Sequence, residues 1–156
     1  MNNLAGSQMQ VSEDIYPSRA YELIQNSQDK PDFIILDVRT SGEFAVQRFD
    51  NAIHLDFFFE SFKNELNKLD KNKTYLVYCK IGVRSGETIK MMKELGFREA
   101  YNLAGGTVLW EEEGMPALKV HSEDYHLKTL NLNACLPETC KIDDLGCGCS
   151  CTKNVV

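Results

Sequence analysis

Thr74-Tyr75-Leu76-Val77-Tyr78-Cys79-Lys80-Ile81-Gly82-Val83-Arg84-Ser85 is the stretch that decides the fold. Its first half is β-branched and aromatic with no charged interruption, which is how a strand buried on both faces reads. The run stops at Cys79. Lys80-Ile81-Gly82-Val83 leaves room for a tight loop only. From Arg84-Ser85 onward Ile89, Met92 and Leu95 share a helical face, and Gly96 is placed to end that helix. A strand, a short loop and a helix are most of a crossover unit, which predicts a parallel sheet.

The same alternation extends in both directions. Upstream, Tyr16-Pro17-Ser18 followed by Ala20, Leu23 and Ile24 reads as a short helix with proline in its first turn. Phe33-Ile34-Ile35-Leu36-Asp37-Val38 reads as a second buried strand. Thr40-Ser41-Gly42-Glu43 has capping-box spacing, so a helix should follow. Ala52-Ile53-His54-Leu55 is a further strand, and Phe58, Phe62, Leu66 and Leu69 recur at helical spacing. Downstream, Ala100-Tyr101-Asn102-Leu103 is a last strand. Gly105-Gly106 then turns the chain into a helix bearing Trp110, which closes at Gly114-Met115-Pro116. The expected class is α/β, a parallel central sheet with helices on both faces. Residues 1–12 are expected to be a flexible leader, 13–120 the folded domain and 121–156 an irregular cysteine-rich tail.

Composition bounds the rest. A chain of 156 residues with 43% apolar and 26% charged residues fits one soluble domain. No apolar run nears the roughly 18–20 residues that cross a bilayer. Met1 to Gln10 lacks a basic start and an apolar centre, so a cytoplasmic protein is expected. The net charge of -6 argues against nucleic-acid binding, which depends on clustered Lys and Arg.

The six cysteines fall in two groups: Cys79 alone, and Cys135, Cys140, Cys147, Cys149 and Cys151 near the end. A secreted disulfide scaffold would spread them through the fold. Cys79 ends a strand and precedes a helix amino terminus, whose first N–H groups lack partners and whose dipole favours an anion. Gly82 permits a compact loop with N–H groups turned inward, and Arg84 adds positive charge. Both should favour the thiolate, the nucleophilic form. On spacing alone, an inert buried cysteine ending a strand fits as well.

Cys79-Lys80-Ile81-Gly82-Val83-Arg84-Ser85 resembles the active-site loop of single-domain rhodaneses. Asp37-Val38-Arg39 with Glu43-Phe44, Ala52-Ile53-His54-Leu55, Leu95-Gly96-Phe97, Asn102-Leu103-Ala104-Gly105-Gly106, Trp110, Gly114 and Pro116 follow in that family's order. The resemblance covers about residues 12–118. It departs at Gln47-Arg48-Phe49-Asp50-Asn51, away from the nucleophile. It implies a rhodanese-like fold and a thiosulfate-type sulfurtransferase, with Cys79 carrying sulfane sulfur as a persulfide and passing it to cyanide, a thiol or a protein cysteine. Lys80, Ile81, Gly82, Val83, Arg84 and Ser85 would form the substrate loop, and Asp37 and Arg39 would order it. Cysteine phosphatases use a loop one residue longer, so the shorter ring here suits a single sulfur better than a phosphate. Lys80 should favour a doubly charged donor such as thiosulfate. No cofactor is required by this chemistry. The rival reading is a sulfur-carrier or redox-sensing module that serves a protein partner without turning over thiosulfate.

The tail stays open. Soft thiolates at C-x-C-x-C spacing suit zinc or copper, so Cys135, Cys140, Cys147, Cys149 and Cys151 are candidate metal ligands. A persulfide acceptor, a redox-active disulfide set or a processed end fit equally.

Overall fold

The computed structural model describes residues 11–27 and 29–120. Along the chain run β1 (Val11–Ile15), α1 (Pro17–Gln25), β2 (Phe33–Asp37), α2 (Ser41–Val46), β3 (Gln47–Arg48) and β4 (Ile53–His54). There follow α3 (Phe62–Asn67), β5 (Thr74–Tyr78), α4 (Val83–Glu94), β6 (Glu99–Leu103), α5 (Gly106–Glu112) and β7 (Lys119–Val120). Five strands pair in the order β1-β6-β5-β2-β4, all parallel, and β3 and β7 form a separate antiparallel pair.

The winding follows from handedness. From β1 the chain passes beyond β6 and β5 to β2, continues to β4, then reverses to β5 and β6. Right-handed crossovers place helices on one face while the chain advances and on the other after it reverses. The period-two alternation of β5 matches. Tyr75, Val77 and Cys79 pack with Phe62 and Leu66 of α3 and Ile89 and Met92 of α4. Leu76 and Tyr78 face the opposite way, with Ala20 of α1 and Trp110 of α5. The expected parallel sheet with helices on both faces is the observed one.

On the second face Trp110 is the anchor. Its ring meets Phe49 edge-on at 4.7 Å, and its indole N–H donates to the Pro116 carbonyl at 2.8 Å. The burial of an aromatic this large, with its one donor satisfied, fixes the chain after α5 against the sheet.

Three differences from the sequence expectation stand out. β1 begins at Val11, inside the stretch expected to be a leader, and pairs with β6 from Val11↔Glu99 to Ile15↔Leu103. β3 and β7 are two residues each, too short to leave a period in the sequence. Phe58 precedes α3 rather than opening it, and is 68% exposed. Among the described residues no helix is long and apolar enough to cross a membrane.

Candidate active site

β5 lies at the centre of the sheet, and its neighbour β2 sends the chain the opposite way. Ligand crevices in open α/β sheets form beyond the carboxyl ends of such a strand pair. Cys79 follows β5 there, and Val38-Arg39-Thr40 follows β2.

The Cys79 sulfur accepts hydrogen bonds from the Gly82 N–H at 3.1 Å and the Ser85 hydroxyl at 3.4 Å. Burial pushes the thiol pKa up. The Ser85 hydroxyl and the N–H groups of Ser85, Ile81 and Gly82 outweigh it, and the net shift is downward. Gly82 caps α4 with φ +86, where an added Cβ would stand 2.9 Å from the Gly105 nitrogen.

The loop amides face the sulfur because the loop carbonyls are tied elsewhere. Thr107 and Val108, in the first turn of α5, donate their N–H groups to the carbonyls of Cys79 at 3.0 Å and Lys80 at 3.1 Å. Those donors have no partner within their own helix, so the loop supplies one. The Asn102 side-chain amide donates to the Gly82 carbonyl at 3.2 Å and to Asp14 at 2.8 Å. Two helix amino termini therefore converge, α4 on the sulfur and α5 on the carbonyls behind it.

Arg84 turns toward α2. Its guanidinium donates to both oxygens of Glu43, at 3.0 and 3.1 Å, and lies 5.7 Å from the centre of the Phe58 ring. Glu43 also closes the capping box with Thr40. Burial would raise its pKa, but Arg84 and Thr40 hold it at about 2. The positive charge expected beside the nucleophile is thus shared with a carboxylate. Glu43 and Cys79 together keep Arg84 protonated above its ordinary value against the effect of burial.

Asp37 and Arg39 form a buried pair. Arg39 Nη2 donates to Asp37 at 2.6 Å and to the Gln47 carbonyl at 2.6 Å, and the guanidinium lies 5.2 Å from the centre of the Tyr78 ring. Through Gln47 the pair reaches the segment that departs from the family pattern. There Asn51 turns at φ +57 and Phe49 is buried against Tyr78. His54 Nε2 lies 2.9 Å from the Arg39 carbonyl, which only accepts, so that nitrogen carries the proton.

Cys79 is fully buried and Ser85 with it. Lys80, Ile81 and Val83 are exposed, as are Phe58 and Phe59. The loop residues expected from the sequence are brought together. Glu43, Asn102, Gly106 and Thr107 were not expected to shape the site. The capping box announced Glu43 and the glycine pair announced the turn, whereas nothing local marks Thr107. A cavity of about 370 Å³ opens on the opposite face among Trp110, Phe49 and Leu118. No cysteine lines it, and none of the residues from Cys79 to Ser85 borders it. Among the described residues no cluster of three or more His, Cys, Asp or Glu is placed to hold a metal. Cys135, Cys140, Cys147, Cys149 and Cys151 lie outside the described residues.

The chain is similar to known proteins over most of the described domain. The family model described as "Rhodanese-like domain" matches residues 19–113. Thiosulfate sulfurtransferase GlpE of Coxiella burnetii is 35% identical over 92 residues, which is 59% of this chain and 80% of that protein. The polysulfide-sulfur transferase of Wolinella succinogenes, solved as a homodimer, superposes with a TM-score of 0.55 at 33% identity, over 69% of this chain and 78% of that one. A rhodanese-related protein from Thermoplasma volcanium superposes with a TM-score of 0.56 at 27% identity, over 67% of this chain and 95% of that one.

Proposed function

The chain belongs to the rhodanese-like domain family of sulfurtransferases, and on that footing we propose that it carries sulfane sulfur on Cys79 from thiosulfate, or a similar small donor, to a thiophilic acceptor. The Cys79 thiolate attacks the outer sulfur of thiosulfate, the S–S bond of the donor breaks, and sulfite leaves with its electron pair. The new persulfide has the charge the thiolate had. An acceptor, cyanide or a thiol, then attacks the outer sulfur and returns Cys79 to thiolate.

The observation that carries this reading is the pair of donors on the Cys79 sulfur, Gly82 N–H and the Ser85 hydroxyl. They stabilise the anion at both ends of the cycle, so no general acid is required when sulfite is the leaving group. Four residues separate Cys79 from Arg84, and a ring this small favours one sulfur over a tetrahedral phosphate. The relative from Coxiella burnetii, named for thiosulfate, supports the donor assignment.

A second reading has its own support. Ile81, Val83 and Phe58 are 58%, 62% and 68% exposed around the loop, an apolar rim suited to a protein acceptor. In that reading the chain is a sulfur carrier charged by polysulfide or by another protein, with little turnover of free thiosulfate.

Thiocyanate formation from thiosulfate and cyanide separates the two. The wild-type chain is expected to form it and Cys79→Ser to form none while keeping its fold. Full activity in Cys79→Ser would remove the nucleophile assignment. Absence of thiocyanate alongside a persulfide formed from polysulfide would favour the carrier.

A further inference from the structure

Asn102 Oδ1 is the one buried side-chain nitrogen or oxygen without a protein hydrogen bond among the described residues. The nitrogen of the same amide has two acceptors, one for each hydrogen: Asp14 Oδ1 at 2.8 Å and the Gly82 carbonyl at 3.2 Å. A buried polar atom without a partner costs about 1–3 kcal/mol, so a fold that keeps one calls for a compensating use. We propose that Asn102 is a positioning residue for the sulfur chemistry, with Asp14 on the edge strand setting its amide so that Nδ2, and not Oδ1, meets the Gly82 carbonyl. This rests on the sulfurtransferase reading and adds to it the group that holds the turn of the active-site loop.

Gly82 needs holding from outside. It is the N-cap of α4, where a Ser, Thr, Asp or Asn would bond an N–H of the first turn with its own side chain. Here the N–H of Ser85, three residues on, serves the Cys79 sulfur instead. A capping side chain at 82 would compete with the sulfur for that donor. At φ +86 its Cβ would also stand 2.9 Å from the Gly105 nitrogen. Glycine meets both demands, but it brings no anchor and the greatest backbone freedom. Its carbonyl supplies the hold. The Gly86 N–H donates to it at 3.0 Å, as the first bond of α4, and Asn102 takes the remaining lone pair. The turn is thereby tied to β6, and the Gly82 N–H is kept 3.1 Å from the sulfur.

Asp14 decides which way the amide lies. Asp14 and Asn102 are register partners in the β1–β6 pair. A terminal amide can turn over and exchange its nitrogen with its oxygen, but a carboxylate and a backbone carbonyl only accept. Both neighbours therefore select the same orientation, and Oδ1 is the atom left over. The return is a donor fixed before charge develops on the sulfur, which stabilises that charge without reorganising.

The test follows alkylation of Cys79 against pH in the full chain, read on the Cys79 peptide by mass spectrometry, beside thiocyanate kinetics. Asn102→Leu keeps the branched skeleton of the side chain and removes the donor and the unpartnered oxygen together. Its alkylation midpoint should move upward, with KM for thiosulfate changing much less than kcat. A fall in kcat of about tenfold is expected, the scale of one hydrogen bond lost behind the reacting sulfur. Asp14→Ala and Asp14→Asn remove the same charge from an exposed residue, but the asparagine oxygen can still accept from Asn102. The midpoint of Asp14→Ala should therefore lie above that of Asp14→Asn, which recovers wild-type kcat. This pair decides the matter even where Asn102→Leu does not fold. A wild-type midpoint and kcat in Asn102→Leu, or equal midpoints in the two Asp14 variants, overturn the proposal. Absence of thiocyanate from the wild-type chain removes thiosulfate turnover instead, and the alkylation midpoints still decide the role of Asn102.

Discussion

The Cys79 carbonyl accepts a hydrogen bond from the Thr107 N–H at 3.0 Å, tying the loop that holds the sulfur to the start of α5. The bond satisfies a helix donor that otherwise has no partner. It also turns the Cys79 carbonyl away from the sulfur, leaving the space around the sulfur to N–H groups. The geometry of the loop is thus set from behind, by a turn about 25 residues later in the chain than the cysteine itself.

That dependence gives a test at Gly106. A Cβ there would stand 2.4 Å from the Cys79 carbonyl oxygen and 2.5 Å from that of Lys80, at φ +59. Neither backbone has room to move without opening the loop. Gly106→Ala should lower turnover by ~10²-fold, the usual cost of a displacement of about 1 Å at a reacting centre. Overpacking should also cost about 1–3 kcal/mol of stability. Thiocyanate assays and thermal melts read the two effects. Wild-type turnover in this variant would show that the loop does not lean on α5.

Ser85→Ala tests the thiolate. The hydroxyl is one of the groups that hold the Cys79 pKa down against burial. Without it the folded pKa should rise, so less thiolate is present at a given pH below it. A hydrogen bond to a charged group contributes about 1.5–3 kcal/mol, enough for its loss to show in a titration. The rate of alkylation against pH should keep its plateau and move its midpoint upward. An unmoved midpoint would exclude Ser85 from activating the sulfur.

Much of this was legible in the sequence, for identifiable reasons. β2 and β5 are continuous apolar runs because both of their faces are covered, and α4 shows its period because one face is buried. β1 was missed because Val-Ser-Glu-Asp-Ile lies at the sheet edge with only Ile15 buried, so the pairing with β6 and not the sequence pattern makes it a strand. Glu43 was visible as a cap, but its second role depends on Arg84, 41 positions later. Phe58 fitted a helical period and lies outside the helix, because α3 starts at Phe62, where the first side chain is buried. Contacts between distant segments leave no mark in local spacing.

Glu43→Gln should show itself through pH. The Glu43 carboxyl is held at about 2 in the folded protein, below its ordinary 4.5. A depressed acid stabilises the fold above its unfolded pKa and loses that contribution as pH falls through the folded value. The wild type should therefore exceed Glu43→Gln in melting temperature at neutral pH. The gap should narrow between about pH 5 and pH 2 and close below that. A gap independent of pH would mean that packing, and not the charge, holds Arg84.

The Asp37–Arg39 pair is 0% and 3% exposed. Removing one partner of a buried pair typically costs about 3–5 kcal/mol, because the other charge is left without compensation. Arg39→Ala should destabilise the fold on that scale, measured by denaturant unfolding. Asp37→Ala in the same chain should restore part of the loss. Turnover per folded molecule should change far less than stability, since neither side chain touches the sulfur in this geometry. A loss of turnover with unchanged stability would instead place the pair in the chemistry.

Lys80 tests how the donor is attracted. Arg84 spends its charge on Glu43, and the chain as a whole carries -6, so the field that draws a dianion to the mouth must be local. Lys80 is exposed beside the nucleophile. An exposed charge interacts with a small anion by about 1 kcal/mol at low ionic strength, which is ~5-fold in affinity. Lys80→Ala should therefore raise KM for thiosulfate several-fold with little change in kcat, because the amides on the sulfur are untouched. The difference should shrink as salt is added, since screening at 0.15 M acts over about 8 Å. Arg84→Ala should behave differently. It releases the clamp between α2 and the loop, so kcat should fall as well as KM rise, and added salt should not mask it. Steady-state kinetics of both variants across a salt series separates attraction from positioning. An unchanged KM in Lys80→Ala at low salt would show that the loop amides alone recruit the donor.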